Sequence, residues 1–328
     1  MEITRVQNLS SSLNRIFFLC IFPVMKRQRS DSDHSLEQHD MLPPSAPALR
    51  KTSPCTTHSS SSSCVSTTNQ ASLAAFNRLR SMPLGHPTLK SLFMLDPSFL
   101  HVNHGGCGAT PKFVIAKQRQ LVDTMEQHPD RWFKKIAPRS IRAAASSLAT
   151  FIGAEPEEVV FVVNATTGIN SVIRSLDLQQ GDSVLCLDLT YRPVLNTLRF
   201  VCTVRQELVE LVELPMPLPL PSSDDIVRMV EDALTKHPNV RLAVFDHITS
   251  PTALVLPVAR LAKLCHQHNV TVLIDGAHAP GQVPLSMKEI GADFYVGKYV
   301  SLLCVVILVV VPAQIFNLPQ LRVLFYDC

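Results

Sequence analysis

Residues 159–168 read VVFVVNATTG: five apolar residues in a row, then an asparagine, a small residue, two threonines and a glycine. A run of β-branched and aromatic residues without a polar alternate is the signature of a strand buried on both faces, which occurs where helices cover a parallel sheet on both sides. The polar tail that follows supplies hydroxyls and backbone N–H groups at the start of a helix, a cradle suited to a phosphate. Working outward, the same rhythm repeats. A helix over 142–151 that Gly153 can cap precedes the strand, and a second strand at 183–187 follows the turn Gln180-Gly181-Asp182. A helix over 224–236 has Ser222 and Ser223 as candidate N-caps and acids in its first turn. A strand at 240–245, a helix at 258–267 and a strand at 270–274 complete the series. Strands alternating with helices predict an α/β fold with a mainly parallel sheet.

The chain has 328 residues, about two domains' worth, and 30 Lys+Arg against 27 Asp+Glu, a net charge of +3. That balance provides no field for nucleic acid, so none is expected as a partner. Hydrophobic residues make up 46% but charged residues only 17%, and 24 Pro exceed 11 Gly, so part of the chain lies outside any core. Residues 1–90 carry the run Ser59 to Ser63, scattered Pro and Thr and no sustained apolar period, and are expected to be a disordered leader. Within them an apolar stretch at 16–24, following Arg5 and Arg15 and followed by Lys26, Arg27 and Arg29, has two readings. It is either a secretory or mitochondrial targeting segment or a leader without that role, with Met25 as a second start. About nine apolar residues do not span a bilayer, and no membrane span is expected.

The nine cysteines (Cys20, Cys55, Cys64, Cys107, Cys186, Cys202, Cys265, Cys304, Cys328) are dispersed, with no CxxC pair and no ligand spacing, so neither a disulfide framework nor a metal site is expected. Reduced thiols place the chain inside the cell, in the cytoplasm first and the mitochondrion second.

In a parallel sheet the ligand sits off the carboxyl ends of the strands, and three polar segments stand there: NATTG at 164–168, DHITS at 246–250 and DGAHAPG at 275–281. Each has a plainer reading: Thr166 and Thr167 as helix caps, Asp275 as a turn carboxylate, His278 as a structural histidine. The three at one edge argue for a site.

NATTG (164–168), DHITSPTALVLPV (246–258), DGAHAPGQVPL (275–285) and GADFYVG (291–297) together resemble the class V aminotransferase superfamily of fold-type I pyridoxal-phosphate enzymes. The resemblance is to its isopenicillin N epimerase-like and cysteine desulfhydrase-like branch, and the segment FLHVNHGGCG (99–108) is similar to that branch's NHG-x-x-G entry. Residues 91–298 would then be the large, pyridoxal-phosphate-binding αβα domain. The resemblance implies pyridoxal 5'-phosphate as cofactor, an amino-acid substrate, a homodimer and chemistry at the α-carbon: lyase, epimerase or transferase. It implies Asp275 against the pyridinium nitrogen, His278 beside the ring, and Thr166 and Thr167 around the phosphate. Tyr191 falls at a ring-stacking position or is an aromatic at a helix entry. Asn103, His104, His247 and Ser250 are candidate substrate-side residues, Asn103 and His104 having a loop turn as their alternative.

The resemblance breaks after Gly297. The family's cofactor-tethering lysine falls, by direct count, on Ser301, and Lys298 stands three residues early. Lys298 is therefore a second catalytic candidate beside His278, set against a register shift of about 10 Å along an extended chain. Residues 299–328 begin with an almost unbroken apolar run at 300–311 and read as a divergent tail foreign to the fold, a buried or aggregation-prone β segment. The expectation is a chain truncated near Lys298 by splicing, a retained intron or an imperfect gene model, lacking the small C-terminal domain and inactive, or else a non-catalytic partner of a full-length copy. An uninterrupted transcript encoding the tail in frame would overturn the truncation.

Overall fold

The computed structural model describes residues 82–83, 86–205, 209–217, 219, 222–298 and 307–310. The leader before residue 82, Ser301 and most of the apolar tail lie outside the described residues. From Leu92 onward the described residues belong to one compact unit, while the short helix Pro87–Ser91 belongs to another.

Seven strands form one sheet: β1 Val159–Val162, β2 Ser183–Leu187, β3 Glu210–Leu214, β4 Val240–Asp246, β5 Thr271–Gly276, β6 Phe294–Lys298 and β7 Ile307–Val310. Their order is β1-β7-β6-β5-β4-β2-β3. Every pair from β6 to β3 is parallel, and β7 runs antiparallel to both β6 and β1. β1 therefore points the same way as β6, which brings the carboxyl ends of β1, β2, β4, β5 and β6 to one edge.

The helices are α1 His104–Cys107, α2 Lys112–Gln127, α3 Ala137–Ile152, α4 Ala165–Ser175, α5 Arg192–Phe200, α6 Ser223–Lys236, α7 Val258–Gln267 and α8 Met287–Ile290. α3 ends as expected at Gly153, whose φ of 68° is the left-handed conformation that a residue with a Cβ resists. The Ser222 hydroxyl accepts from the Asp225 N–H to open α6, and the Asp225 carboxylate accepts the Ser222 N–H in return, closing a capping box.

Alternation along the strands splits the core in two. Leu185, Leu187, Ala243, Phe245, Val272, Ile274 and Tyr295 pack with α3, α6 and α7 on one face. Val184, Cys186, Leu242, Val244, Leu273, Phe294 and Val296 pack with α4 and α5 on the other. This is the expected αβα sandwich: the central strands β2 and β5 bury both sides, which is why their sequences are almost continuously apolar, while β1 and β3 at the sheet edges are only partly buried. One expectation changes. Ile307–Val310, from the stretch read as foreign to the fold, pairs on both sides, Val310 with Val159 and Tyr295, Val309 with Val160 and Val296.

Candidate active site

Three carboxyl ends meet at the α4–α5 side of the sheet edge. Asp246 closes β4 and Asp275 precedes the last residue of β5; they are paired in register. Counting by twos from Val244 and Leu273 puts both side chains on the α4–α5 face. Each is 4% exposed. Burial raises the Asp275 carboxyl to about 6, against the pull of the Ala277 N–H and the Lys298 ammonium. The Ala277 N–H donates to Asp275 Oδ1 at 3.0 Å. Burial, then the charge of Asp275, raises Asp246 further, to about 8, although the Tyr191 N–H and Thr190 hydroxyl face it. At neutral pH the edge thus holds one carboxylate and, beside it, one carboxylic acid.

α4 starts at the same edge. Asn164 is its N-cap, with Oδ1 accepting the Thr167 N–H at 2.7 Å, and Thr166 and Thr167 form its first turn. The helix runs back beneath β5 and β6, so its positive end points toward the edge where Asp275 stands. Tyr191 is the N-cap of α5, 43% exposed, its carbonyl accepting from the Val194 and Leu195 N–H groups.

The segment 103–108 folds onto this edge from outside. Lys298, the last residue of β6 and on the α4–α5 face by the count 294, 296, 298, donates from Nζ to the Gly106 carbonyl at 3.1 Å. A Cβ on Gly105 would lie 3.7 Å from His278 Nδ1. The half-buried imidazole of His278 is held below its ordinary range by burial and by the Lys298 charge. Asn103 caps the turn, its Oδ1 accepting the Gly106 N–H at 3.2 Å, so the loop-turn reading describes its side chain. His104 meets the His101 ring edge-on at 4.5 Å.

His247 departs from the place expected of it. It lies one residue beyond Asp246, on the other face, where its Nδ1 pairs with the Tyr295 hydroxyl at 2.9 Å in a buried contact. Alternation turns it away from Asp275. Ser250 is exposed in the following turn. That turn is held by buried Thr249, whose hydroxyl pairs with Thr252 and accepts the Leu254 N–H. Asp246, Thr190, Tyr295 and the carbonyl of Gly106 were not singled out from sequence. Asp246 had a signal: two apolar runs each ending in Asp, on neighbouring parallel strands, must bring the two acids together. Among the described residues no group of three or more His, Cys, Asp and Glu side chains could hold a metal ion, and no helix is long and apolar enough to cross a membrane.

Comparison with known proteins locates this edge in a family. The family model described as aminotransferase class-V matches residues 107–297. Similar curated proteins are the hercynylcysteine sulfoxide lyase of Schizosaccharomyces pombe, 28% identical over 64% of this chain and 52% of the relative, and a probable chloroplastic L-cysteine desulfhydrase of Arabidopsis thaliana, 33% identical over 61% and 44%. The isopenicillin N epimerase of Amycolatopsis lactamdurans is 32% identical over 62% and 51%. The chain spans about half the length of these relatives. Among solved structures, a lysine-to-alanine mutant of C-DES with glycine covalently linked to the PLP cofactor shares the fold, with a TM-score of 0.58 at 22% identity over 66% of this chain and 57% of that one. So does the Escherichia coli cysteine desulfurase CsdA, TM-score 0.59 at 16% identity over 72% and 60%. The resemblance to fold-type I pyridoxal-phosphate enzymes, and to the desulfhydrase and epimerase branch, is thus met by family, relatives and fold alike. With one family model covering more than half of its residues, the chain belongs to the class-V aminotransferase family.

Proposed function

We propose that this chain binds pyridoxal 5'-phosphate at the β5 edge and serves carbon–sulfur lysis on an amino acid of the cysteine type. The observation that carries the reading is a buried carboxyl, Asp275, on the same edge and the same face as the N-terminus of α4. The donor set fits the cofactor's two ends. A buried acid lacking a full counter-charge suits a protonated pyridine nitrogen, and a helix N-terminus flanked by two threonines suits a phosphate dianion. When bound, the ring supplies an electron sink for charge developing at a substrate α-carbon.

The protein residues do the holding. Asp275 keeps the proton on the ring nitrogen, and Asp246, neutral beside it, leaves a single negative charge at the edge. Thr166, Thr167 and the positive end of α4 bind the phosphate. Tyr191, exposed at the α5 cap, offers a ring-packing surface. His278, neutral and close to the 103–108 segment, is placed to accept a proton. Asn103, His104 and Ser250 lie on the solvent side where a substrate enters. The lean toward desulfhydrase over epimerase rests on DHITS at 246–250 and on the relatives' names. A homodimer, the 91–298 domain boundaries and a cytoplasmic or mitochondrial site belong to the same proposal.

A second reading, a cofactor-binding partner without turnover, is favoured by one observation: Ser301 stands where the family's tethering lysine is counted. Equilibrium dialysis of the purified chain against pyridoxal phosphate, paired with assay of sulfide release from L-cysteine, separates the two. Binding with sulfide release supports the lyase, and binding without it supports the partner. Absence of binding, or binding unchanged in Asp275→Asn, overturns both.

A further inference from the structure

We propose that Lys298 supplies the amine that joins the cofactor aldehyde to this chain. The inference rests on the pyridoxal-phosphate reading above and adds the identity of the covalent residue, which the family position does not provide. Counted along the sequence, Lys298 is three residues short of that position. Counted across the sheet, it stands at the same edge and on the same face as Asp275. β5 and β6 are parallel, with Asp275 opposite Val296 and Gly276 opposite Gly297, so Lys298 stands one residue beyond Gly276 at the same edge. Phe294 and Val296 project into the α4–α5 core; Lys298, two residues on, projects to the same side, which is also the side of Asp275.

The main chain corroborates the direction. Lys298 Nζ reaches the Gly106 carbonyl at 3.1 Å, and the neighbouring Gly105 lies against His278. The ammonium is therefore held within the ring of groups assigned to the cofactor, among Asp275, His278 and the 103–108 segment. A neutral carbonyl is its recorded partner; no salt bridge to Lys298 is recorded among the described residues. Exchanging one carbonyl hydrogen bond for a covalent bond costs little, whereas breaking a buried ion pair would leave a charge behind.

The step balances without a redox partner. The ammonium of Lys298 gives up a proton, Nζ bonds to the aldehyde carbon, and the aldehyde oxygen leaves as water, a carbon–nitrogen double bond replacing the carbon–oxygen one.

The test uses the full chain with pyridoxal phosphate near one equivalent. Borohydride reduction and peptide mass mapping locate any adduct, and equilibrium dialysis without borohydride measures binding. The expected result is one pyridoxyl-phosphate adduct per chain, on Lys298. In Lys298→Arg, which keeps the charge but forms no such bond, the adduct falls at least tenfold while dialysis binding falls less than threefold. Binding with the adduct on another lysine, scattered over exposed lysines, or absent overturns the assignment and leaves the cofactor reading intact. Absence of binding overturns both.

Discussion

Asp246 and Asp275 stand opposite each other at the ends of adjacent parallel strands, both buried, and burial raises both carboxyls, Asp246 the further because Asp275 faces it. Two carboxylates this close cannot both ionise cheaply in a poorly solvated site; the Lys298 charge favours the ionised form of Asp275, and the charge of Asp275 in turn keeps the proton on Asp246.

Stability against pH follows from that difference. Asp246 is raised from an ordinary 3.8 to about 8, so between those values the folded chain holds a proton that the unfolded chain has lost. Its contribution is full below about pH 4 and is lost as pH rises through 8; Asp275 adds a smaller decline ending near 6. Asp246→Asn is expected to leave the urea midpoint almost unchanged at pH 4 and to raise stability by on the order of 3 kcal/mol at pH 8. Equal midpoint shifts at both pH values would contradict the protonated state.

Gly276 is fixed by a neighbour. A Cβ there would lie 2.2 Å from the ring of Tyr295, the residue whose hydroxyl pairs with His247. Gly276→Ala must push the ring out of a packed core and break that bond, for roughly 3 kcal/mol. Tyr295→Leu also destabilises, but the pair should cost clearly less than the sum, because removing the ring removes the clash. Strict additivity in chemical denaturation would refute the contact.

Much of this arrangement was legible in the sequence. The runs at 159–163, 183–187, 240–245 and 270–274 mark four strands within two residues at each end, because strands buried among helices are short and mostly apolar. The run at 159–163, read as buried on both faces, is instead the edge strand β1, with Val159 buried, Val160 to Val162 half-buried and Val163 exposed. Helix 258–267 matches in full. What stayed hidden depends on other chain segments. β3, ELVEL, is an edge strand whose charged residues weaken the pattern. β7 looked foreign because the partner that fixes it between β6 and the sheet edge, β1, is far away in sequence. His247 was placed with Asp275 by proximity in the chain, although alternation sends adjacent residues to opposite faces.

The α4 cap separates stability from binding. Asn164 Oδ1 accepts the Thr167 N–H, so Asn164→Ala should lower stability by about 1 kcal/mol. Asn164→Asp keeps the acceptor and should restore it, yet it places a negative charge beside the proposed phosphate site and should weaken pyridoxal-phosphate binding at least fivefold. An aspartate variant that binds as well as the parent would move the phosphate elsewhere.

The described cysteines should divide by burial. Cys186, Cys202 and Cys265 are buried, and Cys107 is exposed in the segment over the site. Attack on an alkylating reagent needs the thiolate, and burial pushes the Cys186 and Cys265 thiols up to about 12 and Cys202 to about 11. These three should react only when the fold opens, whereas Cys107 lies open to reagent. Native iodoacetamide labelling followed by peptide mapping is expected to modify Cys107 at least a hundredfold faster than the other three. Labelling of Cys186 at the rate of Cys107 would show that the core between the sheet and α5 is not packed as described.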